Sequence, residues 1–103
     1  MAKPSIAFRK ANKATKEFMQ LLGKLSKSTR RLVRVAAIEF DKDPTRKTFR
    51  FHQLKETSRG NHQPDSYSVS VNMSIRAIYV LDGDVKVWYW IGTHAEYNRF
   101  TGG

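Results

Sequence analysis

The spacing of apolar side chains changes once along this chain of 103 residues, near Thr45, and that change limits what it can fold into. Before it, apolar residues recur in steps of three and four. From about Arg9 to Leu25 they fall at Ala11, Ala14, Phe18, Leu21, Leu22 and Leu25, one face of an amphipathic helix, with Lys10, Lys13, Lys16 and Lys24 opposite. Ser26 and Ser28 are N-cap residue types for a second helix, with an apolar stripe of Leu32, Val33, Ala36, Ala37 and Phe40. Arg30, Arg31, Arg34 and Asp41 lie on its far side, while Val35 and Ile38 fall outside the stripe. Asp43-Pro44 ends it, because proline disfavours helical dihedrals at the residue before it. Two helices with a short break between them predict a helical hairpin. Ahead of them, residues 1–4 read as a loose tail and Ser5 to Phe8 as a short strand.

Beyond Thr45 the period is two. Phe49 and Phe51 alternate loosely within Lys47 to Leu54, and a polar loop with Gly60 and Pro64 follows. Tyr67, Val69 and Val71 alternate with Ser66, Ser68, Ser70 and Asn72, the pattern of a half-buried strand. Ile75 to Leu81 is apolar on both faces and belongs inside a sheet. Asp82-Gly83-Asp84 is a tight turn, since glycine supplies the positive φ that such turns need. Val85 to Ile91 forms a third strand, with Val85, Val87, Tyr89 and Ile91 on one face and Lys86, Trp88 and Trp90 on the other. Gly92 breaks it, and Thr93 and Glu96 have the spacing of a capping box that opens a helix to about Phe100. The expected fold is α+β, one domain over residues 1–103: an N-terminal helical hairpin packed on an antiparallel sheet, with a short C-terminal helix.

Charge follows the same division. Residues 1–60 hold sixteen Lys/Arg against five Asp/Glu, and residues 61–103 hold three against four. The whole net charge of +10 therefore comes from the first part, which points to a polyanionic partner, either nucleic acid or an acidic protein segment. With no cysteine, disulfides, thiolate zinc sites and cysteine nucleophiles are excluded. No apolar run reaches the ~20 residues of a membrane span, and the N-terminus lacks a signal-peptide core, so a cytoplasmic protein is expected.

Nucleotide-binding glycine loops and His-Glu-x-x-His are absent, and His52, His62 and His94 match no zinc spacing, so neither metal nor cofactor is expected. His94 falls in the first turn of the last helix, where the backbone favours anions. Arg76 interrupts an apolar strand. Its alternatives are a salt bridge to a carboxylate such as Glu39 or Asp65, or a concave site for a phosphate. The aromatics Tyr67, Tyr79, Trp88, Tyr89, Trp90, Tyr97 and Phe100 are either core or a surface on which bases stack.

The order of elements, Tyr67-Ser68-Val69-Ser70-Val71, Ile75-Arg76-Ala77-Ile78-Tyr79, the turn at Gly83 and the ending Ile91-Gly92-Thr93-His94-Ala95-Glu96-Tyr97 resemble the RelE/ParE superfamily of toxin–antitoxin toxins. The resemblance runs from the first helix to about Phe100, and Gly92-Thr93-His94-Ala95 is most similar to the YafQ-type ribosome-dependent mRNA interferases. It implies a metal-independent endoribonuclease that inhibits translation, with mRNA and the ribosome as partners and an acidic antitoxin that joins it in a hetero-oligomer. It places His94 and His52 as acid–base groups and Arg76 at the scissile phosphate. Arg50, Lys55, Arg59, His62 and Tyr97 are the expected RNA-binding residues, with His62 a reserve acid–base group. RelE carries two catalytic lysines on the strand that here has Ser68 and Ser70, which directs the expected chemistry to histidine. Two alternatives stay open: within the same superfamily, a ParE-like inhibitor of DNA gyrase that cuts nothing, and, from the charge asymmetry and aromatics alone, a basic RNA-binding module without activity.

Overall fold

The computed structural model describes residues 11–56 and 59–102. The strand expected at Ser5 to Phe8 lies outside them. In chain order the elements are β1 (Ala11–Ala14), α1 (Lys16–Gly23), α2 (Lys27–Lys42), a 3-10 turn (Lys47–Phe49), β2 (His52–Gln53), β3 (Tyr67–Ser70), β4 (Ile75–Asp82), β5 (Val85–Thr93) and α3 (His94–Thr101). This is the expected α+β arrangement of a helical hairpin on a sheet, closed by a C-terminal helix.

Two details differ from the sequence expectation. The first helix begins at Lys16 rather than Arg9, because residues 11–14 extend along β5 as a parallel edge strand, Ala11 opposite Val85 and Ala14 opposite Trp88. The five-stranded sheet, ordered β1-β5-β4-β3-β2, is therefore mixed, antiparallel everywhere except at that edge. Thr15 turns the chain from strand to helix: its N–H donates to Trp88 O at 2.9 Å, and its hydroxyl accepts from Phe18 N at 3.1 Å. Such a cap stabilises a helix by about 1 kcal/mol.

The second difference is a bulge. Ile78 lies opposite Trp90 and Tyr79 opposite Trp88, so Tyr89 is an extra residue on β5 and the alternation changes phase there. Trp88 and Trp90 therefore do not share a face. Trp88 packs with Tyr79, Phe40 and Phe18 under the helical hairpin, whereas Trp90 stacks on Phe100 and packs with Ile78 and Tyr97 beneath α3. Both aromatic sets are core. The bulged Tyr89 hydroxyl donates to Ser66 Oγ and accepts from Gln63 N–H, which ties down the start of β3.

Hairpin and sheet are also locked by a polar chain. Asn12 accepts from Trp88 Nε1 at 2.8 Å and donates to Asp41 at 2.9 Å, and Asp41 pairs with Lys86. Lys86 is only 4% exposed, with its ammonium 5.6 Å from the Phe40 ring centre. Removing one partner of a buried pair strands the other charge, which typically costs about 3–5 kcal/mol, whereas replacing both partners by apolar residues is often close to neutral. Asp41→Ala strands the buried Lys86 and is expected to lose about 3 kcal/mol in urea denaturation. Lys86→Met leaves only Asp41, whose side chain is 31% exposed and stays hydrated, so a loss of about 1 kcal/mol is expected. Equal losses would mean that the pair acts through packing alone.

Candidate functional site: a cationic cleft beside His94 and Arg76

The loop between β3 and β4 and the start of α3 meet at one end of the sheet. Arg76 on β4 pairs with Ser70 on β3 and with Gly92 on β5. A Cβ at Gly92 would stand 2.7 Å from the Trp90 ring and 2.8 Å from Glu96, so glycine is needed there. It also leaves no side chain across from Arg76 on β5. The guanidinium uses that freedom: Nε donates to His94 Nδ1 at 3.2 Å, and Cζ sits 4.8 Å from the centre of the Tyr97 ring. His94 and Tyr97, one turn apart on α3, have ring centres 6.4 Å apart. Three residues singled out from the sequence thus meet.

The helix that presents them is fixed at its start. Thr93 Oγ1 accepts from Glu96 N at 3.2 Å, Glu96 Oε1 accepts from Thr93 N at 2.8 Å, and His94 N donates to Ser74 O at 2.9 Å. The capping box is the one expected, and its backbone hydrogen bond holds the Glu96 carboxyl below its ordinary range. Because Nδ1 of His94 accepts from an arginine, the neutral ring carries its proton on Nε2, the atom free to give it to a ligand.

Arg76 also lines a cleft of about 430 Å3 with Lys47 and Arg50, and no carboxylate is among its walls. The salt bridges offered for Arg76 do not form. Glu39 takes Arg46 at 2.9 Å and Lys42 at 3.6 Å, and Asp65 accepts from Gln53 at 3.4 Å. Arg76 is instead turned to the cleft and to His94. Arg50 holds a left-handed backbone, φ 44° and ψ 40°, at the end of the 3-10 turn, a conformation that costs a non-glycine residue of order 1 kcal/mol.

His52 is exposed on β2, opposite Ser68, and by register it shares the sheet face of Arg76. Strand spacing puts the two Cα atoms about 12 Å apart. His52 makes no hydrogen bond or ring contact with Arg76 or His94. Its Nδ1–H donates to the Arg50 carbonyl at 2.8 Å, so the neutral ring keeps a free lone pair on Nε2. The two histidines therefore show opposite tautomers.

The other expected RNA contacts lie elsewhere. Asn61 N–H donates to Phe100 O at 2.7 Å, and Arg59 packs against Gly102, so this loop meets the end of α3 away from His94. Eight helical residues put that end about 12 Å from the start. His62 Nε2–H donates to the Lys55 carbonyl at 2.7 Å, which makes both a fastening of the loop, while the Lys55 side chain is exposed. Lys47, Asn72 and Met73, cleft residues that sequence reasoning missed, carry no motif. Only the β3–β4 turn and the 3-10 turn bring them in. Among the described residues, no three His, Asp or Glu side chains are grouped to hold a metal ion, and no helix is long and apolar enough to cross a membrane.

No protein-family model matches the chain, and no curated protein does. Solved structures do. YafQ from E. coli superposes with a TM-score of 0.64 at 14% identity, over 86% of this chain and 98% of YafQ. The fold is the one YafQ and RelE adopt. RelE in the RelE–RelB complex of Pyrococcus horikoshii gives 0.60 at 20% identity, over 81% of this chain and 92% of that one. The E. coli DinJ–YafQ toxin–antitoxin complex gives 0.63 at 13% identity, over 85% and 96%. At such identities the likeness carries the architecture, and the site must be argued from its own geometry.

Proposed function

We propose that this chain is the toxin of a bacterial toxin–antitoxin pair, a cytoplasmic, ribosome-dependent endoribonuclease that cuts mRNA without a metal. The observation that carries the reading is the Arg76–His94 contact at the edge of a cleft with three cations and no carboxylate. A ribose 2′-hydroxyl attacks the adjacent phosphorus, the 2′-O–P bond forms and the P–O5′ bond breaks, leaving a 2′,3′-cyclic phosphate and a 5′-hydroxyl. The free Nε2 of His52 takes the 2′-hydroxyl proton. As the phosphate draws Arg76 away from Nδ1, His94 takes a proton there from solvent, and the resulting imidazolium gives its Nε2 proton to the leaving 5′-oxygen. Arg76 offsets the extra charge on the phosphorane. The ~12 Å between His52 and Arg76 at Cα leaves room for the phosphodiester between their side chains. Tyr97, expected to bind RNA, is buried with Trp90 and Ile78 and supports Arg76 through its ring face rather than offering a surface to a base.

The hairpin supplies a partner surface. Leu32, Val35 and Ile38 are 50%, 51% and 53% exposed on α2, among exposed Arg31 and Arg34. An apolar stripe flanked by arginine suits an acidic amphipathic antitoxin segment that folds on binding.

A second reading, a ParE-like gyrase inhibitor, is favoured by Ser68 and Ser70, which are buried where RelE has catalytic lysines. One experiment separates the two: induced expression with primer extension on a translated reporter mRNA and on the same mRNA with its start codon removed. In-frame cuts confined to the translated message are expected. Growth arrest with intact mRNA and induced DNA damage would transfer the function to the second reading.

A further inference from the structure

Met73 is 93% exposed, at the tip of the β3–β4 turn and at the mouth of the cationic cleft. The turn is stiff. Asn72 Oδ1 accepts from Ser74 N and Ile75 N, both at 2.8 Å, and Val71 N donates to Ile75 O at 2.8 Å. A thioether so exposed contributes nothing to the fold. Beside it, Val71, half-buried and packed on the core beneath the hairpin, adds an apolar edge to the cleft lined by Lys47, Arg50 and Arg76. The cleft's 430 Å3 lies within the ~300–1,000 Å3 of small-ligand sites. A ligand matched to it is anionic along one edge and flat and apolar along the other.

We propose that the cleft is a nucleotide subsite in which Lys47 and Arg50 hold a phosphate and Met73, with Val71, packs on the base and sets base preference. It rests on the reading above in taking RNA as the substrate and deepens that reading. Arg76 is shared with the reacting centre, so the bound nucleotide is the one next to the scissile bond. Contact with a polarizable thioether grows with ring area, so purines are preferred over pyrimidines.

The test is fluorescence anisotropy with five-residue oligoadenylate, oligouridylate and oligocytidylate on the isolated protein. Wild type is expected to bind oligoadenylate about fivefold tighter than the pyrimidine oligomers, the scale of one thioether–ring contact. Met73→Ala brings the three within about twofold, and Met73→Leu keeps the preference. Arg50→Ala weakens all three alike and lowers the salt slope by about one. The proposal is overturned by a preference that survives Met73→Ala, by equal affinities in wild type, or by no binding. If the preference depends on Met73 while translated mRNA stays intact, the subsite stands and the nuclease reading falls. If mRNA is cut in translation and Met73→Ala leaves base choice unchanged, the subsite falls and the nuclease reading stands.

Discussion

His94→Ala is expected to slow mRNA cutting on translating ribosomes by about 10²–10⁴-fold, the usual contribution of one positioned proton donor. The structure makes this substitution informative because the side chain carries little of the fold. His94 is exposed at the first position of α3, and the cap and capping box that start the helix belong to Thr93 and Glu96. Alanine there costs the helix nothing in propensity. Melting temperature should therefore stay close to wild type while the rate falls. The measurement is a single-turnover cut rate with programmed ribosomes, alongside a thermal melt. A soluble, folded His94→Ala protein that cuts at the wild-type rate would remove the histidine from the mechanism.

The fold was legible where local chemistry and tertiary demand agree. Thr93 with Glu96, Ser26 before α2, Gly83 in the turn and Pro44 beyond α2 all act where their spacing placed them. The sequence misled at two points for definite reasons. Ala11 and Ala14 fit both a helical stripe and a strand, and what decides is a partner 74 residues away, Val85 to Trp88 on β5. Thr15, whose hydroxyl caps α1, was the one local sign of a later start. The bulge at Tyr89 leaves no mark in the alternation, because Trp88, Tyr89 and Trp90 are all large and any phase buries an aromatic. The tertiary need for it is visible only in the hydroxyl contacts of Tyr89 with Ser66 and Gln63.

The site divides along the same line. His94, Arg76 and Tyr97 were recognisable because two lie on one helical turn and the third is an arginine in an otherwise apolar strand. Arg59 and His62 were grouped with them by charge and residue type alone. The loop that carries them closes on the far end of α3 through Asn61. Lys47 and Met73, 26 residues apart, enter the cleft from two turns that the antiparallel β2–β3 pairing brings together.

Arg76→Ala is expected to lower the same cut rate by about 10²–10³-fold, as removal of a group that stabilises transition-state charge does. Three contacts converge on this guanidinium, with His94, with the Tyr97 ring and with the cleft, and no carboxylate competes for it. A purely structural arginine would show its loss in stability instead. The cation–π contact with Tyr97 is worth about 0.5–1 kcal/mol, so a melting shift of only a few degrees is expected. Arg76→Lys separates charge from shape. A lysine keeps the positive charge but loses the planar fork that points Nε at His94 Nδ1 while the other N–H groups face a phosphate. Its rate should recover only partly, with apparent affinity for the ribosome complex close to wild type, so that the loss appears in kcat rather than KM. Full rescue by lysine would reduce Arg76 to a point charge, and an unchanged rate in Arg76→Ala would place phosphate stabilisation elsewhere in the cleft.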